Sequence, residues 1–192
     1  TLEDSYATEG ARGVDTIRKY AKAQLDKELS EDEAQRIYDV KAHYFHEMPE
    51  AKVFDGVIDL MRKIKESGLK IGIVTGSAQL PLIERVTRDF GEFLSKDQIT
   101  TAYDVKHGKP NPDPYLMGLQ KAGNYSPSEG IVVENAPLGV HAGVAAGCYT
   151  VAINSGPLAD SVFLKEGANI LFPTIRKFAD SWERVLERLT KC

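Results

Sequence analysis

The hydrophobic pattern of the first 49 residues is helical. Between Gly13 and Asp26, apolar side chains recur at helical spacing, at Val14, Ile17, Tyr20, Ala21 and Leu25. A further helix is predicted to begin after Ser30, because Ser30 and Glu33 form the Ser-x-x-Glu pattern of a capping box. No strand pattern interrupts this part of the chain, which therefore predicts a small helical layer of at least two helices.

After Pro49 the pattern changes to short apolar runs that alternate with amphipathic segments. The runs LKIGIV, GIVV, YTVAI and NILF predict strands, and a weaker strand is predicted at Thr100–Tyr103. Helices are predicted at Leu80–Phe90, in the segments before Gly68 and Gly123, in VHAGVAAG and DSVFLKEG, and in one C-terminal helix, IRKFADSWERVLERL. Strands that alternate with helices predict a mostly parallel sheet with helices on both faces.

Polar residues follow the predicted strands where each one ends, the edge at which open α/β sheets bind ligands. Thr75-Gly76-Ser77 follows the first strand. This tripeptide is either an ordinary turn with an N-capping serine or a hydroxyl with backbone donors for an anionic oxygen. Glu134-Asn135 follows GIVV. Asn135 either caps the next helix, or the pair offers hard oxygen ligands suited to Mg²⁺.

A proline-rich loop, GKPNPDP, carries Lys109 just before a helix. The three prolines predict a rigid, extended loop. Lys109 is either a solvated surface lysine or a fixed cation that neutralises a phosphate or a carboxylate nucleophile. The segment alone leaves both readings open.

Composition and charge exclude some classes of protein. The chain has 192 residues, 24 Lys and Arg against 28 Asp and Glu, and a net charge of -4, without a basic cluster typical of nucleic-acid binding. The apolar runs are too short for a transmembrane helix, and no signal peptide is visible. Cys148 and Cys192 match no metal or redox motif, so we expect two reduced thiols in a cytoplasmic protein. A monomer or weak dimer is the expected oligomeric state, which no motif specifies.

Three segments taken together resemble one family. IVTGS, GKPNPDPYLMGLQKAG and IVVENAPLGVHAGVAAGCYTVAINSG, in this order and spacing, resemble the haloacid dehalogenase-like phosphohydrolases. The resemblance is to the branch that contains β-phosphoglucomutase and small sugar-phosphate phosphatases. It implies an α/β fold, with a Rossmann-like parallel-sheet core at residues 50–192 and a small all-helical cap at residues 1–49.

The resemblance also implies a role for each polar strand end. Thr75 matches the catalytic hydroxyl that binds the transferring phosphoryl group, and Gly76 and Ser77 would flank it with backbone donors. Lys109 matches the catalytic lysine that steadies the nucleophile and the phosphate charge. Glu134-Asn135 matches the pair that helps to hold the cofactor Mg²⁺. The family usually has two acids at this pair, so Asn135 brings one negative charge less.

The cap carries further candidates. TEGARGVDTI resembles the stretch that contacts the distal end of the substrate, and Arg12 is its natural candidate, because arginine binds a phosphate or a pair of hydroxyls bidentately. A surface arginine is the alternative. Lys41 is a weaker candidate on the next helix. His43 and His46 lie three residues apart, without the acid or cysteine that would complete a metal site.

One motif of the family does not occur in the sequence. The family's nucleophile lies on the first core strand, in an Asp-x-Asp-Gly segment, and this chain has no such segment. That strand is the middle of the family's sheet, so its absence predicts two unpaired strand edges. We expect these 192 residues to be the downstream part of a longer polypeptide. A fragment completed by another chain and a degenerate relative are the alternatives.

The leading functional hypothesis is Mg²⁺-dependent phosphoryl transfer on a small phosphorylated metabolite, with a sugar phosphate as the expected substrate. The resemblance implies an aspartyl-phosphate on an upstream aspartate. Hydrolysis of it makes the protein a phosphatase, and transfer to another hydroxyl makes it a β-phosphoglucomutase-like phosphomutase. The second hypothesis is a non-catalytic binding or regulatory domain. A dehalogenase is a weaker third, because those relatives need no metal.

Overall fold

The computed structural model describes residues 1–190, so Cys192 lies outside the described residues. The N-terminal part folds into three helices: α1 (Leu2–Thr8), α2 (Gly13–Leu25) and α3 (Glu31–Glu47). The predicted capping box of α3 is confirmed, because Ser30 Oγ accepts the Glu33 N–H and the Glu33 carboxylate accepts the Ser30 N–H. Ala21, Leu29 and Ala34 pack together and hold α2 against α3.

The remaining described residues alternate between helices and strands. The strands are β1 (Ile73–Val74), β2 (Ile99–Thr100), β3 (Ile131–Glu134), β4 (Tyr149–Ile153) and β5 (Ile170–Phe172). The helices are α4 (Val57–Glu66), α5 (Leu80–Phe90), α6 (Asp113–Gly123), α7 (Pro137–Ala145), α8 (Asp160–Lys165), α9 (Ile175–Asp180) and α10 (Trp182–Leu189). All pairings among these strands are parallel, which confirms the predicted α/β class.

Three predicted elements differ from the observed ones. The strand predicted in LKIGIV is reduced to Ile73–Val74, which pairs with β2 on one side only. The strand predicted at Thr100–Tyr103 ends at Thr100, because the Asp104 carboxylate accepts hydrogen bonds from the N–H and hydroxyl of Thr101 and closes a turn. The C-terminal helix is divided into α9 and α10 at Ser181.

The strands form two separate sheets, β1-β2 and β3-β4-β5. Within residues 1–190, no strand lies between β1 and β3. Side chains join the two sheets instead, since Val74 of β1 packs against a buried cluster that includes Tyr115 of α6, Val132 of β3 and Ala142 of α7. Helix packing therefore holds the carboxyl ends of β1 and β3 in place where backbone pairing does not.

Strand β4 is the centre of the larger sheet and is buried on both faces. On one face, Val151 and Ile153 pack with Phe178 of α9 and Trp182 of α10. On the other, Ala152 packs with residues of α7 and α8, including Val140 and Phe163. The break at Ser181 allows both aromatic rings to enter the same core, where their centroids lie 5.9 Å apart. Helices therefore cover both faces, as predicted.

We predict that Phe178→Ala lowers the free energy of unfolding by about 3–5 kcal/mol, because it leaves a cavity in the centre of this core. Urea unfolding followed by the fluorescence of Trp182, which is the single tryptophan of the chain, measures the change.

The control for this prediction is Leu164→Ala, which truncates a side chain that is 55% exposed on α8. We expect this variant to stay within about 0.5 kcal/mol of the original protein. Equal losses in the two variants would show that Phe178 does not hold the core together.

Candidate functional site

A cleft of roughly 340 Å³ lies where the carboxyl ends of β1 and β3 face the N-terminal layer of helices α1–α3, which is called the cap from here on. This volume is in the range of small-molecule sites. Residues from five separate segments of the chain line it: 9–13, 38–45, 74–82, Lys109 and 134–136. Six of them are core residues that were predicted from the sequence: Thr75, Gly76, Ser77, Lys109, Glu134 and Asn135. The structure therefore brings the predicted core residues together, although their individual roles stay predictions.

The loop after β1 is ordered by its own hydroxyl groups. Thr75 Oγ1 accepts the Ser77 N–H at 3.1 Å, and Ser77 Oγ accepts the Gln79 N–H at 3.2 Å. Helix α5 begins only after Gln79, so Ser77 is not its N-cap. A side chain at Gly76 would place its Cβ 2.6 Å from the carbonyl oxygen of Gly10. Glycine is therefore required for the cap to approach this loop.

Lys109 is buried between the two sheets, with 6% of its surface exposed. Its ammonium group donates to the carbonyl oxygen of Val74, at the end of β1, over 3.3 Å. It also forms an ion pair and hydrogen bond with Glu134, at the end of β3. The reading of Lys109 as a solvated surface lysine is therefore wrong, since the proline-rich loop points this side chain inward.

Each carboxylate oxygen of Glu134 accepts two hydrogen bonds. Oε1 accepts from Lys109 and, at 2.5 Å, from the Tyr115 hydroxyl. Oε2 accepts the N–H groups of Asn135 and Ala136, at 3.1 Å and 3.3 Å, just before α7 begins. The carboxylate is thus held by a cation, a phenol and a helix N-terminus, where negative charge is favoured.

Two neighbours show how closely the Glu134 carboxylate is enclosed. A Cβ at Gly139, in the first turn of α7, would lie 2.1 Å from Glu134 Cδ, so only glycine leaves room for the carboxylate. Burial, followed by the negative charge of Glu134, raises the pKa of Tyr115 well above its ordinary value. The phenol therefore stays protonated and donates its hydrogen to the carboxylate.

Asn135 connects the core to the cap. Its side-chain amide donates to Glu9 Oε2 at 3.3 Å, and Glu9 lies just after α1, on the cap side of the cleft. The N-cap position of α7 is Ala136, without a side-chain cap, so the reading of Asn135 as a helix cap is wrong. The amide at this position instead faces an acid from the cap.

The residue types at the end of β3 fit Mg²⁺, a hard cation that takes oxygen ligands and retains waters. Glu134 would offer a carboxylate oxygen and Asn135 an amide oxygen. Within residues 1–190, no group of three or more His, Cys, Asp and Glu side chains is placed to hold a metal. A cation here therefore requires Glu134 to exchange one of its four hydrogen bonds, and needs ligands beyond these two side chains.

The two cap candidates differ in position. Arg12 makes a bidentate ion pair with Asp15, with nitrogen–oxygen distances of 2.8 Å and 3.0 Å, and lies over Gly108. It is not among the residues of the described chain that line the cleft. Lys41 does line the cleft, with its ammonium group 5.7 Å from the centre of the Tyr38 ring. The role of Arg12 stays a prediction.

Four site residues were missed by sequence reasoning: Glu9, Tyr38, Gln79 and Tyr115. Gln79 Nε2 donates to the Tyr38 hydroxyl at 2.9 Å and so joins α5 to α3, and the Gln79 Oε1 atom is buried without a partner among the described residues. Gln79 lies two residues after Ser77, so its closeness to a predicted site segment could have pointed to it in the sequence. Tyr38 and Tyr115 resemble ordinary core positions of amphipathic helices.

Comparison with known proteins identifies the family. Residues 1–153 match the model of the haloacid dehalogenase-like hydrolases. The chain belongs to this family.

No helix within residues 1–190 is both long and apolar enough to cross a membrane.

Individual haloacid dehalogenase-like relatives are similar over part of their length. Hexitol phosphatase A of Escherichia coli (strain K12) is 40% identical over 100 residues, 52% of this chain and 45% of that protein. Glycerol-1-phosphate phosphohydrolase 1 of Saccharomyces cerevisiae is 31% identical over 173 residues, 86% of this chain and 66% of that protein. The chain thus spans between about half and two thirds of these two relatives' length.

A solved haloacid dehalogenase-like structure shares the fold. A candidate β-phosphoglucomutase from Bacteroides vulgatus superposes with a TM-score of 0.90 at 43% identity, covering 97% of this chain and 75% of that one. This likeness confirms the predicted Rossmann-like architecture. The division into a cap at residues 1–49 and a core at residues 50–192 stays a prediction.

We predict that Asn135→Asp loosens the cap, because it places a carboxylate against Glu9. Two like charges about 4 Å apart repel by about 1 kcal/mol in water, about a five-fold change in an opening equilibrium. Hydrogen exchange at the Glu9 and Ala11 amides, both bonded within this segment, measures the opening.

The matched control is the double variant Glu9→Gln/Asn135→Asp, which reverses the direction of the hydrogen bond. We expect its exchange to return close to that of the original protein. Unchanged exchange in Asn135→Asp alone would contradict a role for this contact in holding the cap.

Proposed function

We propose that this protein carries out Mg²⁺-dependent phosphoryl transfer on a small phosphorylated sugar or polyol, and that it acts as a phosphatase. The observation that carries the proposal is the buried ammonium group of Lys109 at the cleft, between the ends of β1 and β3. A fixed cation beside a hydroxyl-bearing loop is the arrangement that phosphoryl transfer needs, because catalysis depends on positioning and on charge stabilisation.

Each core residue of the cleft that was predicted from the sequence has a defined task in this proposal. Lys109 stabilises negative charge on the transferring phosphoryl group, and the Thr75 hydroxyl and the Gly76-Ser77 backbone orient its oxygens. Glu134 and Asn135, together with the nucleophile, would hold Mg²⁺, which would supply further positive charge at the phosphoryl group. The nucleophile is an aspartate outside these 192 residues, on which the aspartyl-phosphate forms.

The cap provides enclosure and substrate choice in this proposal. Glu9, Tyr38 and Lys41 form the cap side of the cleft, where they exclude water and contact the part of the substrate that does not react. We propose Arg12 as a further substrate contact, which requires it to leave Asp15. A small phosphorylated metabolite is thus the proposed partner, for a cytoplasmic monomer or weak dimer.

Phosphatase activity is favoured because the similar proteins from E. coli and S. cerevisiae are named for phosphatase reactions. A phosphomutase is the second candidate, since the similar structure from B. vulgatus is described as a candidate β-phosphoglucomutase. The two differ only in the acceptor of the phosphoryl group, which is water in one and a sugar hydroxyl in the other.

We predict that the natural protein releases phosphate from at least one of a hexitol phosphate, glycerol 1-phosphate and a hexose phosphate, and that removing Mg²⁺ with a chelator abolishes release. A phosphate-release assay and an assay for conversion of β-glucose 1-phosphate to glucose 6-phosphate separate phosphatase from mutase. Calorimetric titration with Mg²⁺ reports binding independently of turnover.

The intact mass of the natural protein belongs to the same experiment. We expect a mass above that of the 192 residues. A mass equal to theirs, with no turnover of any substrate, would favour the non-catalytic domain over the enzyme.

We predict that Lys109→Ala lowers kcat by about 100-fold or more, the scale of losing one charge-stabilising donor. Its matched control is Lys106→Ala, which removes an exposed lysine from the same loop and is expected to leave kcat unchanged. Near-normal turnover in Lys109→Ala would refute the proposed role.

Folding must be checked, because removing Lys109 leaves Glu134 buried without its cation. Circular dichroism in the near ultraviolet shows whether the core remains packed. Lys109→Arg keeps the charge but replaces a compact ammonium group by a planar one, so it should fold and still lose most of its turnover.

A further inference from the structure

Tyr115 contacts both members of the buried ion pair. Its hydroxyl donates to Glu134 Oε1 at 2.5 Å, and the centre of its ring lies 4.8 Å from the Lys109 ammonium nitrogen. Tyr115, Lys109 and Glu134 are 7%, 6% and 9% exposed, respectively. The Tyr115 side chain of α6 thus contacts the acid through its hydroxyl group and the cation through its ring.

Each of the two contacts restricts the position of a different member of the ion pair. The phenol hydroxyl and the ammonium group share a single oxygen of Glu134, so the hydroxyl fixes where that oxygen lies. The ring attracts the ammonium group by a cation–π interaction, which is stronger in a site removed from water. Lys109 is therefore held against the end of β1 by Tyr115 as well as by Glu134.

A tyrosine that only fills the core would not need this arrangement. The ring of Tyr115 packs with Val132, Ala142 and Cys148 in a buried apolar cluster, which a phenylalanine would serve equally well. The hydroxyl is the atom that such a role leaves unexplained. A buried hydroxyl must be hydrogen-bonded, and this one is bonded to the partner of the site lysine.

We propose that Tyr115 is a positioning residue, which fixes the Lys109 ammonium group and the Glu134 carboxylate in the geometry that phosphoryl transfer uses. The inference rests on the proposed function and deepens it. Tyr115 does not touch the substrate. It acts through Lys109, so its loss should lower kcat and leave KM nearly unchanged.

The test is Tyr115→Phe in the natural protein, which keeps the ring and removes the hydroxyl. Because the hydrogen bond that is lost is one to a charged group, we expect kcat to fall by about 10-fold or more while KM changes less than about two-fold. The matched control is Tyr149→Phe, which removes the hydroxyl of a half-buried tyrosine in β4, remote from the cleft.

A double-mutant cycle separates positioning from stability. Tyr115→Phe is combined with Lys109→Arg, in which the ammonium group that Tyr115 positions no longer exists. We expect the effect of Tyr115→Phe on kcat to shrink markedly in that background, because coupled residues are not additive. Full additivity, or a kcat unaffected by Tyr115→Phe at temperatures well below unfolding, overturns the proposal.

A readout without turnover keeps this inference distinct from the proposed function. In protein labelled with ¹⁵N-lysine, a buried, bonded ammonium group gives a slowly exchanging resonance, which Lys109→Arg identifies by its loss. We expect Tyr115→Phe to speed its exchange and Tyr149→Phe to leave it unchanged. An unperturbed resonance in Tyr115→Phe overturns the inference, whereas a missing activity in the original protein overturns only the proposed function.

Discussion

The buried ion pair between Lys109 and Glu134 is the interaction on which the site depends. Burying two charges is costly unless further hydrogen bonds satisfy the remaining donors and acceptors. Here Val74 takes one ammonium hydrogen, and the Tyr115 hydroxyl and the two backbone N–H groups just before α7 satisfy the carboxylate. Because these groups come from different elements, the pair fixes the relative positions of β1, β3, α6 and α7 as well as the charge.

The cap approaches this centre closely. The carbonyl groups of Gly10 and Ala11 lie against Gly76, and Glu9 reaches Asn135. Asn135 stands where the resemblance leads us to expect an acid, and its side-chain amide faces Glu9, an acid of the cap. The charge that the core lacks at Asn135 is present on the cap side of the same cleft.

The fold class and the core side of the site could be predicted because both follow from local pattern. Lys109 and Glu134 stand directly after strand or loop signals, so their position at the sheet edge was visible in the sequence. Tyr115 was not, because its helical spacing is that of any core residue, and only the folded chain shows what its hydroxyl meets. The pairing of Arg12 with Asp15 was not predicted either. It matters because this neighbouring acid competes with a substrate for the same guanidinium group.

The packing of the Glu134 carboxylate against Gly139 of α7 restricts which substitutions this protein can accept. Its carboxylate occupies the space where a side chain at Gly139 would stand. The two positions therefore cannot vary independently: any larger residue at 139 must be accompanied by a shorter or redirected side chain at 134. The glycine in the first turn of α7 is thereby required by the acid five residues before it.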